Sequence, residues 1–226
     1  MIIRIATQED ITAVEKLRTT AYQTATGSII SDTSFLHWNE SDEQSITLIL
    51  ENEEKQIIST LQGKILITKA ELEKFFDISL NTSFSFPIFP TFTIGKASTF
   101  LEYRGLGYTA IMRILFLQAC LNSEIQSISS TMQADASRIP LLKQMGYFIE
   151  EADISHRKNS HFNNTSAALF NLLHKQNFVE AIAVAKNKII TPISAIEIQD
   201  ELLLTMKKKI SYFCIKKNEN STSSIL

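Results

Sequence analysis

The segment Arg104-Gly105-Leu106-Gly107-Tyr108-Thr109 constrains this chain more than any other. It stands between residues 92–100, which read as a strand, and residues 111–121, an apolar run that lacks strand alternation. Good helix formers fill that run, so it reads as a buried helix. Glycines placed after a strand let the backbone turn tightly and approach a ligand. The N–H groups of such a turn point outward at the positive end of the helix that follows. A site of this kind holds a pyrophosphate without net positive charge on the protein. Arg104 would add a charge-assisted contact. The alternative is a loop that starts a helix and binds nothing.

Two other glycine-loop chemistries do not fit. The P-loop pattern G-x-x-x-x-G-K-[ST] is absent from the chain. A dinucleotide fingerprint, G-x-G-x-x-G, would need a glycine at Ala110, and no acidic residue stands out to hold a ribose.

Around this segment the chain reads as alternating elements. Residues 2–6 form a strand, and a helix follows with Thr7 as N-cap, Asp10 three residues on, and Ile11, Val14 and Leu17 at helical spacing. Residues 45–50 and 56–67 read as a hairpin across the polar loop 51–55. A short helix at 69–77 and a Phe/Ser/Pro loop at 81–90 come next, since two prolines cannot sit in a central strand. After the helix at 111–121, a strand is expected at 127–132, a helix at 135–145 ending on Gly146, and a strand at 147–154. The fold class is therefore α/β, with helices covering a mixed sheet. Beyond residue 155 the pattern turns helical. Helices are expected at 163–175, at 177–190 and, from the start signal Thr191-Pro192, at 192–209, followed by a strand at 210–215 and a disordered tail at 217–226. This divides the chain into a domain at 1–155, a helical extension at 156–216 and the tail.

The 226 residues carry 22 Lys plus Arg and 24 Asp plus Glu, a net charge of -2, which argues against a general binder of nucleic-acid backbone. The only two cysteines, Cys120 and Cys214, lie in apolar stretches, and no Cys/His cluster suggests a metal. No targeting segment or membrane-length apolar run is visible, so a cytoplasmic protein is expected. His156, His161 and His174 share no ligand spacing, and His37-Trp38 reads either as part of a substrate loop or as a packing anchor. Lys207, Lys208, Lys209, Lys216 and Lys217 read first as a solvated helix end, and second as a patch for an acidic carrier protein or nucleic acid.

Arg104-Gly105-Leu106-Gly107-Tyr108-Thr109 resembles the acyl-coenzyme-A loop of the GNAT (Gcn5-related N-acetyltransferase) superfamily, Arg/Gln-x-x-Gly-x-Gly/Ala. The start Ile3-Arg4-Ile5-Ala6-Thr7-Gln8-Glu9-Asp10-Ile11 and the closing Leu141-Leu142-Lys143-Gln144-Met145-Gly146-Tyr147-Phe148 are also similar to segments of that family, in order and in spacing. The resemblance implies a mostly antiparallel sheet whose central strands, 92–100 and 127–132, splay into a V-shaped gap. Pantetheine would pair with the strand edges there. Backbone groups of Thr99, Phe100 and Leu101 would face the acyl thioester, one amide polarising its carbonyl as in an oxyanion hole. Arg104 and the amides of Gly105, Leu106, Gly107, Tyr108 and Thr109 would hold the pyrophosphate of acetyl-CoA or another acyl-CoA. An amine would attack the thioester directly, so positioning and a proton acceptor matter more than a covalent nucleophile.

The sequence departs from that pattern at three places. Thr109 stands where the loop motif has Gly or Ala, Leu142 where many members have a Tyr that protonates the leaving thiolate, and Thr93 where some carry a Glu. No general acid or base is assigned. A narrower resemblance links Tyr22, Ser28-Ile29-Ile30, residues 45–50 and 58–61, and Thr93-Ile94-Gly95-Lys96 to long-chain N-acyl amino acid synthases and acyl-homoserine-lactone synthases. It implies an acyl carrier protein as donor. The expected function is transfer of an acyl group, acetyl first, from a CoA thioester to a small-molecule or peptide amine, with no metal. The alternatives are a carrier-protein-dependent N-acyl amino acid synthase or a non-catalytic interaction protein on the same scaffold. The C-terminal helices are read as a lid, a homodimer interface or a binding module.

Overall fold

The computed structural model describes residues 1–25, 33–80, 89–134, 136, 138–154, 168–187, 189, 191 and 195–223, the last seven by backbone alone. The expected loop at 81–90 lies outside the described residues up to 88, as do Pro192 and residues 163–167.

Eight strands form one sheet in the order β6-β7-β5-β4-β3-β2-β1-β8. They are β1 (Ile2–Ile5), β2 (Ile46–Glu51), β3 (Ile57–Leu66), β4 (Thr91–Thr99), β5 (Ser127–Gln133), β6 (Phe148–Glu151), β7 (Ala168–His174) and β8 (Glu197–Ile198). All neighbours pair antiparallel except β4 with β5 and β1 with β8. The helices are α1 (Ile11–Ala25), α2 (Glu40–Glu43), α3 (Lys69–Phe76), α4 (Tyr108–Leu121), α5 (Ile139–Gln144), α6 (Phe178–Lys186) and α7 (Leu202–Ser223).

Local chemistry accounts for several boundaries. Asp10 Oδ2 accepts from the Thr7 amide at 2.7 Å and from Thr7 Oγ1 at 3.0 Å, which closes the expected cap ahead of α1. Arg4 grips the same carboxylate at 2.7 and 2.8 Å and Glu51 at 2.9 Å, tying β1 to that turn and to β2. The Arg4 guanidinium holds Asp10 below the ordinary carboxylate range. α4 is apolar nearly all round because it packs between the sheet, α6 and α7. Its Ile111, Met112, Leu115, Phe116 and Ala119 join the main core with Leu48, Leu61 and Phe92. α1 lies against β3 and β4 with Val14 and Leu17 in a separate cluster.

The C-terminal third corrects the expected element types. Residues 168–174, expected within a helix, are β7, inserted between β5 and β6. The run Ala-Leu-Phe-Asn-Leu-Leu-His is buried on both faces, so it has no alternation to mark it as a strand. Two neighbouring strands decide the matter by hydrogen bonding. Residues on both sides of 155 therefore share one sheet. The helix expected from 192 begins at Leu202, after the short strand β8. The strand expected at 210–215 is the middle of α7, because Leu202, Met206, Ile210 and Cys214 form one buried stripe at i, i+4 spacing. The helix continues to Ser223, through the first part of the expected disordered tail. Cys120 and Cys214 are both buried, and neither is in a disulfide.

A Cβ on Gly63 of β3 would overlap the Phe92 ring and come within 3.1 Å of Phe116 Cε1. Both rings are fully buried, so neither can swing into solvent. Gly63→Ala is expected to destabilise the fold by about 1–3 kcal/mol. A denaturant-midpoint shift checks this, and an unchanged midpoint would show that the aromatic pair is loosely packed.

Candidate active site

β4 and β5 run parallel, but only three residue pairs face each other: Thr91–Ser127, Phe92–Ile128 and Thr93–Ser129. At the closed end a hydroxyl cluster holds them. Ser127 Oγ donates to Thr91 Oγ1 at 2.8 Å, and Thr91 Oγ1 lies 3.3 Å from Ser129 Oγ. Beyond Thr93, β4 continues to Thr99 and β5 to Gln133 without pairing to each other. The gap is the V-shaped opening that the loop resemblance implies. A β-bulge between Thr60 and Gln62 interrupts the β3–β4 ladder opposite, and Lys96 sits at φ +47°. Backbone groups on an unpaired strand edge need partners, so this edge suits an arm that carries amides.

A cavity of ≈ 60 Å³ lies against the unpaired part of β4. Its lining includes Ala97 of β4, Thr109, Ala110 and Arg113 of α4, Leu142 of α5, and Arg138 just ahead of α5.

The glycine turn is built largely as a structural junction. Gly105 and Gly107 have φ +80° and +88°, a region that only glycine adopts readily, and Gly107 caps α4. Open space lies beside Gly105, whereas Ile189 Cα lies 3.3 Å from where a Cβ on Gly107 would be. Leu106 O accepts from Thr191 Oγ1 at 2.8 Å. Arg104, expected on the pyrophosphate, is spent within the protein. Its Nη2 donates to Ala21 O at 2.6 Å and Thr24 Oγ1 at 2.8 Å, and its Nε to Thr99 O at 3.1 Å. It staples the end of α1 to the end of β4. Phe100 donates its amide to Ile58 O at 3.2 Å, so that amide is not available to a thioester carbonyl. Leu101 is 62 % exposed, and Tyr108 is buried with its hydroxyl 3.4 Å from Met1 Sδ. Of the nine residues expected at the site, Thr109 alone lines the cavity.

On the α1 side of β4 lies a buried charge cluster that sequence reasoning missed. Asp42 accepts four bonds: from Arg18 Nη1 at 2.7 Å, Gln62 Nε2 at 2.6 Å, Lys96 Nζ at 2.6 Å and the Asn39 amide at 3.2 Å. Arg18 and Asp42 are fully buried, and the Trp38 ring covers the guanidinium at 5.6 Å. Two cations thus share one carboxylate. Among the described residues, Nε and Nη2 of Arg18 have no hydrogen-bond partner, an expensive arrangement for a buried guanidinium. Burial, then the charge of Arg18, push Lys96 below the ordinary lysine value, against the pull of Asp42. The sequence signal was slight: polar Gln62 and Lys64 inside an apolar strand, and Lys96 after Gly95. Trp38 acts here as a packing anchor.

Among the described residues, no group of His, Cys, Asp and Glu could hold a metal ion, and no helix is long and apolar enough to cross a membrane.

No protein-family profile and no curated protein sequence matches the chain. Solved structures do. A CoA-dependent acyl-homoserine lactone synthase, BjaI, with SAM and isopentyl-CoA superposes over 88% of this chain and 92% of its own, at TM-score 0.56 and 10% identity. FeeM, an N-acyl amino acid synthase from uncultured soil microbes, matches over 82% and 98%, at TM-score 0.54 and 16% identity. The fold is that of the GNAT acyltransferases. A ribosomal-protein-alanine N-acetyltransferase from Brucella melitensis shares it too, over 77% of this chain and 99% of its own, at TM-score 0.52 and 14% identity. The GNAT fold gives the splayed pair β4–β5 a known architectural setting.

Asp42→Asn would leave Arg18 and Lys96 buried without a counter-charge. A loss of about 3–5 kcal/mol of stability is expected. Chemical denaturation measures it, and a loss below one-third of that range would mean that water already reaches the cluster.

Proposed function

We propose that this protein is an N-acyltransferase, moving an acyl group from a thioester donor to a primary amine. The observation that carries the reading is the β4–β5 pair, which is bonded over three residue pairs and then opens, with a cavity against β4 beside the start of α4. A thioester arm laid along the free edge of β4 would bring its carbonyl into the gap. The amine would enter from the α1 side and attack the carbonyl carbon. The C–S bond would then break, with the electron pair leaving on sulfur, and the proton lost by the amine would pass through solvent to the thiolate to give the free thiol. Proximity supplies most of the acceleration in such a transfer. Asp42 is unsuited as the base, because four donors already occupy its carboxylate. CoA is the expected donor.

The buried cluster favours a second, narrower reading in which the acceptor amine also carries a carboxylate. Arg18 and Lys96 together exceed the charge of Asp42, and two nitrogens of Arg18, Nε and Nη2, are unbonded among the described residues. An amino-acid carboxylate would satisfy both deficits. FeeM, which shares the fold, is an N-acyl amino acid synthase. An acyl carrier protein is the alternative donor. Retention of the scaffold by a non-catalytic interaction protein is the rival from another class.

Two measurements test these readings. Calorimetry with acetyl-CoA and longer acyl-CoAs, paired with transfer assays from acyl-loaded carrier protein, should give binding and amide formation with at least one donor. Absence of both with every donor overturns the enzyme reading. With an active donor in hand, free amino acids should outperform their decarboxylated amines by tenfold or more in kcat/KM. Lys96→Met should erase that preference by raising KM. Equal rates for the two amine classes in the unmodified protein would remove the carboxylate reading while leaving acyl transfer intact.

A further inference from the structure

The cavity against β4 has a lining that is part apolar and part cationic. Ala97, Ala110, Leu142 and Met145 supply the apolar part, and Arg113 and Arg138 the cationic part. Arg113 has no carboxylate partner among the described residues. Its Nη1 donates to Tyr147 Oη at 3.3 Å, and its Cζ sits 6.0 Å from the centre of the Tyr147 ring. The Arg138 side chain makes neither a hydrogen bond nor an ion pair within the described residues, while its carbonyl accepts from the Leu142 amide at 3.1 Å. The groups close enough to act on it electrostatically are Arg113 and Tyr22 of α1. Arg138 is exposed as a residue, while its guanidinium is crowded by protein, and that crowding together with Arg113 lowers its pKa from the ordinary arginine value. Two guanidiniums facing one cavity with no anion between them repel each other. The first turn of α4, with Thr109 in the same wall, adds the positive end of a 14-residue helix.

The expected phosphate ligand, Arg104, is committed elsewhere, and Ile189 lies close over Gly107. The positive charge that lines the cavity comes from Arg113 on α4 and Arg138 just ahead of α5. An acceptor carboxylate already has a candidate partner on the opposite side of β4, at Arg18 and Lys96. The anion left to account for belongs to the donor. Pantetheine arms are neutral amides that end in a phosphate ester, and a lining that combines apolar side chains with two arginines matches that polarity.

We propose that Arg113 and Arg138 form a phosphate-ester site that anchors the carrier arm of the thioester donor. The proposal rests on the thioester-donor reading above. Arginine suits the role because its planar fork can bind two phosphate oxygens at once. The phosphate comes either from CoA or from the phosphopantetheine arm of a carrier protein, and both present the same ester chemistry.

Phosphopantetheine and pantetheine differ only in the phosphate, so their affinities for the full chain read the site directly. The unmodified protein should bind phosphopantetheine at least tenfold more tightly, with an advantage that shrinks as salt rises. Arg138→Gln should reduce the advantage to less than threefold and leave pantetheine affinity unchanged. Arg138→Lys, which keeps the charge, should retain most of it. Melting temperatures within a few degrees confirm that the variants fold. Equal binding of the two compounds by the unmodified protein, or an advantage that survives in Arg138→Gln, overturns the site. Transfer assays with the Gln variant separate the sources: a selective rise in KM for acyl-CoA assigns the phosphate to CoA, and a selective rise for acyl carrier protein assigns it to the carrier. Acyl transfer from a pantetheine thioester with no phosphate advantage would leave the donor reading standing and remove the phosphate site. Failure of every thioester to bind would remove both.

Discussion

The three-residue parallel ladder between β4 and β5 is the constraint on which the rest of the site depends. Thr91, Ser127 and Ser129 hold it closed at one end with buried hydroxyls. Lys96, at φ +47° on β4, departs from regular strand geometry and delivers its ammonium to Asp42. A non-glycine residue in that region costs about 1–3 kcal/mol. The bond to Asp42 offsets it, and through Asp42 the same anchor reaches Arg18 on α1 and Gln62 on β3. The opening in the sheet and the buried charge cluster are thus two faces of one distortion of β4.

The loop before α4 shows how a ligand-binding motif can be reused as a joint. Arg104 reaches back to α1 and across to Thr99, and Leu106 receives Thr191 from the C-terminal third. Three parts of the chain that are far apart in sequence meet at six consecutive residues. Glycine is required at two of them for backbone reasons alone, since both lie at positive φ. A glycine pattern is therefore consistent with the bland and the ligand-binding readings alike.

Elements whose signals are local were legible in the sequence. The cap at Thr7 and Asp10, the 46–66 hairpin, the strand–turn–helix around Arg104 and the Gly146 terminator each depend on residues within one or two turns of each other. β7 was not legible, because Ala168–His174 is apolar on both faces and a buried helix has the same composition. The stripe Leu202, Met206, Ile210, Cys214 was available, but Tyr212 and Phe213 beside it favour strands and obscured its spacing. At the site, the location of the opening was readable and the charges around it were not. Arg18, Asp42 and Lys96 are brought together across 24 and 54 residues of sequence, a distance over which periodicity carries no information.

The position of β7 bears on how the chain comes off the ribosome. Residues 1–155 contain both strands of the opening, but one edge of β5 and all of β6 depend for their pairing on Ala168–His174. Until residue 174 has been made, the growing sheet ends in an unpaired Ser- and Thr-rich strand, and β6 has nothing to lie against. The chain's last third is thus the piece that completes the sheet. Cutting the gene near residue 155 would yield a polypeptide with exposed strand edges, prone to pair with its neighbours, and not a smaller version of the same protein.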